Sequence, residues 1–226
     1  MINYQTTREL NAARAKYRGQ IIPQPALTIM DADTSRLAAS DLAARALKVG
    51  HTAKDFILPD VHGEPVRLRA LFDQGPVVVV FCRGGWGPYC NLHLRGFQRR
   101  WQEFRELGAT VVAISPRLPD NSLSTEEKDE LAFPVLSDVG NKVARQFGIV
   151  FELSDELVEW YRKFSHALED FNGADGSREL PVPATFLLDG EGTIRLAHVD
   201  VDYTRRIDPD DVIKMLKTFK TLKATA

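Results

Sequence analysis

Residues 75–82 read GPVVVVFC, with four valines in succession before Phe and Cys. A continuous β-branched run after a turn signal predicts a strand buried on both faces, since a half-exposed strand would alternate apolar with polar residues. Such a strand needs covering layers on either side, which helices supply in α/β folds. ATVVAIS, residues 109–115, is a second strand of the same kind. Between the two, Leu94, Phe97, Trp101, Phe104 and Leu107 step by three and four, which predicts an amphipathic helix over 91–107.

The flanking elements extend this pattern. DFILPDVHGEPVRLRAL reads as two short strands around a His-Gly turn, then a short helix near Leu71. PRLPDNSLSTEEKDEL is a polar loop leading into a helix, FPVLSD a short strand, and NKVARQFGI a short helix with Val143, Phe147 and Ile149 inward. LSDELVEWYRKFSHALEDF reads as one long inserted helix that Ser154 opens and NGADG ends. ELPVPATFLLDGEGTIRLAHVD gives two strands joined by an Asp-Gly-Glu-Gly hairpin turn. A closing helix turns Val212, Met215, Leu216 and Phe219 to one face. The fold expected is α/β, a mixed sheet flanked by helices. The hairpin argues against the alternative, an open all-parallel doubly wound sheet.

Ahead of this domain (51–226) lies an arm of residues 1–50. Leu10, Ala13 and Tyr17 mark a first helix with a thin apolar face, and Pro23 and Pro25 break the chain. A second helix is expected from Thr34 or Ser35, with Leu37, Leu42, Ala46 and Val49 as its stripe and Gly50 as its stop. Such an arm packs either on its own domain or on a second copy in a homodimer. The sequence leaves both open.

The 226 residues suit one domain with an extension, and 44% hydrophobic with 27% charged residues is ordinary for a soluble globular chain. A net charge of −2 gives no electrostatic case for nucleic acid or an anionic membrane surface as partner. The longest apolar runs, VVVVFC and ATFLL, fall far short of the roughly 20 residues of a membrane span. The opening MINYQTTRELNAARAKYRG has no continuous apolar core of a secretory signal, which points to the cytoplasm. No metal or cofactor is called for.

Two cysteines are too few for a disulfide-stapled scaffold. Cys82 ends an apolar strand, as a small buried hydrophobe would. Cys90 instead sits in the turn RGGWGPYCN among polar neighbours. Only a thiolate is nucleophilic, so a reactive cysteine needs its pKa lowered from about 8.5. A helix start, Arg83 before it, Arg95 after it and His93 three residues on could each contribute. Gly84, Gly85 and Gly87 allow a ligand close to the backbone. The plain alternative makes Cys90 a helix-end residue and His93 a solvated one. An aromatic, a proline and a cysteine at a strand-to-helix turn weigh towards chemistry.

From about residue 50 to 219 the chain resembles a peroxiredoxin-like protein of the alkyl hydroperoxide reductase / thiol-specific antioxidant (AhpC/TSA) family, within the thioredoxin-fold superfamily. The matching pieces, in order, are DFILPDVHGEPVRL, GPVVVVFCRGGWGPYCNLHLRGFQ, ATVVAISP, LAFPVLSDVGNKVARQFGI and LPVPATFLLDGEGTIR. The resemblance implies a thioredoxin-like sheet and peroxide reduction by a cysteine. Relatives usually show RGxWCPYCN, so Gly87 replaces the first cysteine of a dithiol, and Cys82 replaces an aromatic residue. Laid on the peroxiredoxin pattern P-x-x-x-[ST]-x-x-C, the peroxidatic cysteine is Cys90, the hydroxyl position is Gly87 and the proline position is Arg83. Laid instead on the dithiol pattern, Cys90 is the more buried resolving thiol and C-x-x-C exchange is impossible. Cys82 is then the remaining thiol that could resolve a sulfenic acid on Cys90, with local rearrangement. The resemblance also implies a cis-proline at Pro183 that faces the active cysteine as part of the substrate pocket, and an arginine, Arg206 or Arg205, near the mouth of the site. Lys54 departs from the usual A-P-D-F entry.

Two functions follow. In the first, a one-cysteine thiol peroxidase, Cys90 attacks hydrogen or alkyl peroxides, helped by Arg83 or Arg206, and thioredoxin or a low-molecular-weight thiol reduces the sulfenic acid. In the second, the pocket has left peroxide chemistry, and Trp86, Tyr89, Cys90 and His93 line a small-molecule site. Departures at Gly87 and Arg83 favour the second, and so would a fully buried Cys90 sulfur.

Overall fold

A computed structural model describes residues 3–118, 131–169 and 177–224. Strand β1 (Ile57–Pro59) pairs antiparallel with β2 (Pro65–Arg67). The main sheet holds β3 (Val77–Phe81), β4 (Thr110–Ser115), β5 (Val135–Ser137), β8 (Ala184–Leu188) and β9 (Ile194–Val199) in the order β5-β4-β3-β8-β9. β3, β4 and β5 run parallel, while β8 is antiparallel to β3 and to β9. The sheet is therefore mixed, as the hairpin required. A further pair, β6 (Val150–Glu152) with β7 (Glu179–Pro181), was not expected from the sequence, since its partners lie 27 or more residues apart with no hairpin turn between them.

The valine run divides its side chains by the period of two. Val77, Val79 and Phe81 enter one core with Ile114, Phe147 and Phe186, where ring centroids approach to 4.9 Å. Val78, Val80 and Cys82 enter the other, with Leu94, Phe97, Phe104 and Leu216.

Helix ends differ from expectation in ways that shape the site. α5 spans Pro88–Arg99 and α6 Trp101–Glu106, so the amphipathic run starts three residues early and breaks at Arg100 (φ −104°, ψ 6°), whose guanidinium pairs with Glu103 and Asp210. After α7 (Lys142–Gln146), the inserted helix α8 spans only Asp155–Lys163. Ser154 caps it, and it closes where Ser165 takes the left-handed φ of 60° and His166 N–H bonds the Tyr161 carbonyl. The stretches PDNSLSTEEKDE and NGADG lie outside the described residues.

In the arm, α1 (Gln5–Lys16) is followed by a π-helical turn over Tyr17–Ile21 and by α2 (Gln24–Ala38). Pro25 starts α2 rather than interrupting it, since a proline in the first turn removes only an N–H that had no helical partner. After α3 (Leu42–Arg45), Leu37, Leu42 and Ala46 are buried in the core, whereas Val49 is 61% exposed. The short α4 (Leu68–Leu71) and the closing α9 (Pro209–Ala224) complete the helices named here.

The arm packs on its own domain. α1 lies against α5 at Gly96, where an added Cβ would come within 2.3 Å of Thr6 Oγ1. Its first turn is held by two buried carboxylates from the start of α9. Thr7 N–H and Oγ1–H donate to Asp208, and the N–H groups of Asn3 and Tyr4 donate to Asp210, all at 2.8–2.9 Å. Remote carboxylates here do the work of an N-cap, satisfying N–H groups with no helical acceptor. Gly96→Ala should force α1 off α5 and cost about 1–3 kcal/mol in urea unfolding. Thr6→Ala in the same chain should return part of that loss, as a double-mutant cycle would read.

Candidate active site

Strand β3, the central strand, delivers Cys82 and Arg83 at its C-terminal end, and the turn Gly84–Gly87 then folds back into α5. Gly84 holds a φ of 127°, and a Cβ there would meet Arg117 Cδ at 2.4 Å, so that position needs glycine. Asn91 Nδ2 donates to the Gly85 carbonyl at 2.8 Å and pins the turn. Gly87 is the N-cap of α5 and offers no side chain to it; Pro88 follows in the first turn. Cys90 thus sits inside the first turn of the helix rather than just ahead of it, at the positive end of the dipole.

Cys90 is 3% exposed, yet it lines a cavity of about 280 Å³. Its thiol pKa is held well below the ordinary value. The neighbouring Cys82 thiol contributes most, burial opposes it, and the Arg206 charge and the N–H and charge of Arg83 add to it. Arg206 Nη2 lies 3.8 Å from the Cys90 sulfur. Cys82 is pushed the other way, well above its ordinary pKa, by Cys90 and by burial. Its single proton has two acceptors in reach, the Ile114 carbonyl at 3.6 Å and the Cys90 sulfur. An ionised sulfur is the stronger acceptor, so a Cys82 S–H turned towards Cys90 favours the thiolate form of Cys90. Both cysteines are free.

Arg83 is buried with its guanidinium carbon 5.0 Å from the Phe151 ring centroid and 4.9 Å from that of Tyr203, and its Nη1 donates to Tyr161 Oη at 3.4 Å. Around the mouth, Tyr89 meets Tyr203 edge-on at 5.7 Å, and Trp86 meets Tyr161 at 5.3 Å and His166 at 5.4 Å. A charged floor under an aromatic wall suits a small molecule with one polar, reactive end.

Residues 49–197 match the AhpC/TSA family. The chain belongs to that family. It is 31% identical over 173 residues to peroxiredoxin Bcp of Escherichia coli (strain K12), covering 76% of this chain and 96% of that protein. It is 28% identical over 188 residues to the chloroplastic peroxiredoxin Q of Sedum lineare, covering 81% and 85%. Among solved structures, peroxidoxin BcpB of Mycobacterium tuberculosis superposes with a TM-score of 0.60 at 26% identity, covering 76% of this chain and 97% of that one.

Around this cavity the structure brings together Arg83, Trp86, Gly87, Tyr89, Cys90 and Arg206. Arg205 points outward to Asp200 and Asp202. His93 needs correcting. It shares a helical face with Cys90, but it is buried, with Nε2 2.9 Å from the Ile207 carbonyl and its ring edge-on to Phe97. Burial, reinforced by Arg206, drives its pKa down to about 3, so it is a neutral packing group and not a cation beside the thiolate. It does not line the cavity. Pro183 is corrected too: no cis peptide occurs among the described residues. Val182 N–H bonds the Ile149 carbonyl at 2.7 Å and Ala184 enters β8 opposite Phe81, an extended path that a trans bond serves. Arg95 is exposed and does not line the cavity. Sequence reasoning missed Tyr161, Phe164, His166 and Tyr203, and also Tyr17, Ile21, Ile22 and Met30 from the arm, which complete the wall. Tyr203 carried a signal, standing three residues before Arg206.

His93 gives a pH prediction. It stays neutral in the fold down to about pH 3, while in the unfolded chain it protonates near 6.5. The unfolded state therefore binds more protons in that window, and stability falls as pH drops from about 6.5 towards 3. His93→Gln keeps an N–H donor without a titration. It should flatten the slope by up to about 1.4 kcal/mol per pH unit, measured by urea unfolding at pH 7, 6 and 5.

Proposed function

We propose that the chain is a thiol-dependent peroxidase of one-cysteine type, with Cys90 as the attacking group. The observation that carries this reading is a thiolate-favouring Cys90 on the floor of a cavity, 3.8 Å from Arg206. The Cys90 sulfur bonds the distal peroxide oxygen, the O–O bond breaks, and the other oxygen leaves with a proton as water or alcohol. Arg206 and Arg83 face the charge that passes from sulfur to the leaving oxygen. The resulting sulfenic acid is reduced by two external thiols or by thioredoxin, giving their disulfide, water and the starting thiol.

Cys82 acts in this scheme as a hydrogen-bond donor rather than a resolving thiol. With its pKa raised, it carries little of the thiolate needed to attack a sulfenic acid. Two free thiols suit a reducing compartment such as the cytoplasm. The reading as a diverged small-molecule site draws on Gly87, Arg83 and the burial of Cys90. The cavity that reaches Cys90 and the lowered thiol pKa favour peroxide chemistry instead.

Stopped-flow oxidation tests this. Wild-type protein should form a dimedone-trappable sulfenic acid with peroxide, and Cys90→Ser should lose all of it; equal peroxide consumption by the two would sink the assignment. Gly87 adds a second test. Its backbone (φ −89°, ψ 114°) accepts any residue, and a Cβ there would make ordinary contacts of 3.5 Å to Cys90 Sγ and 3.6 Å to the Gly84 carbonyl. Gly87→Ser should fold as stably as wild type within a few tenths of a kcal/mol. Its hydroxyl, beside the sulfur, should raise the oxidation rate about 2- to 10-fold, the worth of one hydrogen bond.

A further inference from the structure

The family match begins at residue 49, yet four residues before it, Tyr17, Ile21, Ile22 and Met30, form part of the wall over Cys90. The π-helical turn at Tyr17–Ile21, closed by Ile22 N–H to the Tyr17 carbonyl at 2.9 Å, puts three of these within six residues of chain. The turn is clamped: Arg18 donates to both oxygens of Asp31 on α2, at 2.8 and 2.7 Å. Tyr17 approaches Tyr89 at 6.0 Å, and Tyr203 Oη–H points to Met30 Sδ at 3.7 Å. Ile21, 49% exposed, stands at the rim.

Hydrogen peroxide has no apolar part for such a wall to hold. A space of about 280 Å³, with Cys90 and Arg206 at its floor and isoleucines, methionine and aromatic rings above, fits a molecule with one peroxide end and a compact apolar body. We infer that the N-terminal arm is a specificity element that selects organic hydroperoxides with a bulky branched or aromatic body over hydrogen peroxide. This rests on the peroxidase reading above. The chemistry at the floor is unchanged: the sulfur takes the distal oxygen, the O–O bond breaks, and the alkoxide departs as the alcohol once it gains a proton. The arm acts on the rest of the substrate, through apolar contact kept up to the transition state.

The test is single-turnover oxidation of the full chain by cumene hydroperoxide and by hydrogen peroxide. Wild type should favour cumene hydroperoxide, and Ile21→Asp and Ile22→Ala should each lower the ratio of the two rate constants, by about tenfold for the charged variant. Ile21 lies at the rim, so its variant should fold even if the Ile22 variant does not. A ratio unchanged within about twofold, or a wild-type preference for hydrogen peroxide, would overturn the inference while leaving the peroxidase intact. If neither peroxide oxidises Cys90, the peroxidase reading itself falls, and the inference with it.

Discussion

Val77 to Phe81 are at most 1% exposed, and five residues buried on both faces need a covering layer on each side. One face takes the phenylalanine cluster of Phe81, Phe147 and Phe186; the other takes α5 and α9 through Phe97, Phe104 and Leu216. The same strand fixes the site, because its end is where the chain must turn. Cys82 and Arg83 leave the sheet there, and the glycine turn returns the backbone into α5 with Cys90 in its first turn. A rigid, doubly covered strand thus sets where a sulfur and a guanidinium meet.

Holding charge in that place has a cost that the surroundings offset. Desolvation raises a buried thiol's pKa, and only specific partners reverse it. Here the partners are of three kinds: a neutral thiol that donates, a backbone N–H, and two arginines. Arg83 keeps its charge off the solvent by lying against the rings of Phe151 and Tyr203, where the π faces attract it. Arginine suits this better than lysine, being planar, weakly hydrated and charged at all relevant pH. The aromatic cluster is therefore part of the electrostatics as well as the wall.

Much of this was legible in the sequence. The valine run, the Asp-Gly-Glu-Gly hairpin and Cys90 at a strand-to-helix turn are local patterns, and each survives folding because burial and turn chemistry act over a few residues. His93 shows where that logic ends. Helical spacing puts it on the face of Cys90, but what covers that face is the Ile207 carbonyl, 114 residues away. The wall of the cavity was hidden for the same reason. Tyr17 and Met30 look like residues of a thin arm until α1 is seated on α5 and α2 on α8. Pro23 and Pro25 read as breaks in that arm, and the chain uses Pro25 to begin a helix.

The anchoring of α1 by Asp208 and Asp210 bears on how such proteins are cut and recombined. The AhpC/TSA family match itself covers residues 49–197, so it ends short of both carboxylates and starts after Leu37, Leu42 and Ala46 have already entered the core. First and last segments of the chain close on each other outside the matched stretch, like a clasp. A graft or truncation drawn at residues 49 and 197 would remove both halves of that clasp together. The residues that carry the family match are therefore not, by themselves, the whole of the packed unit.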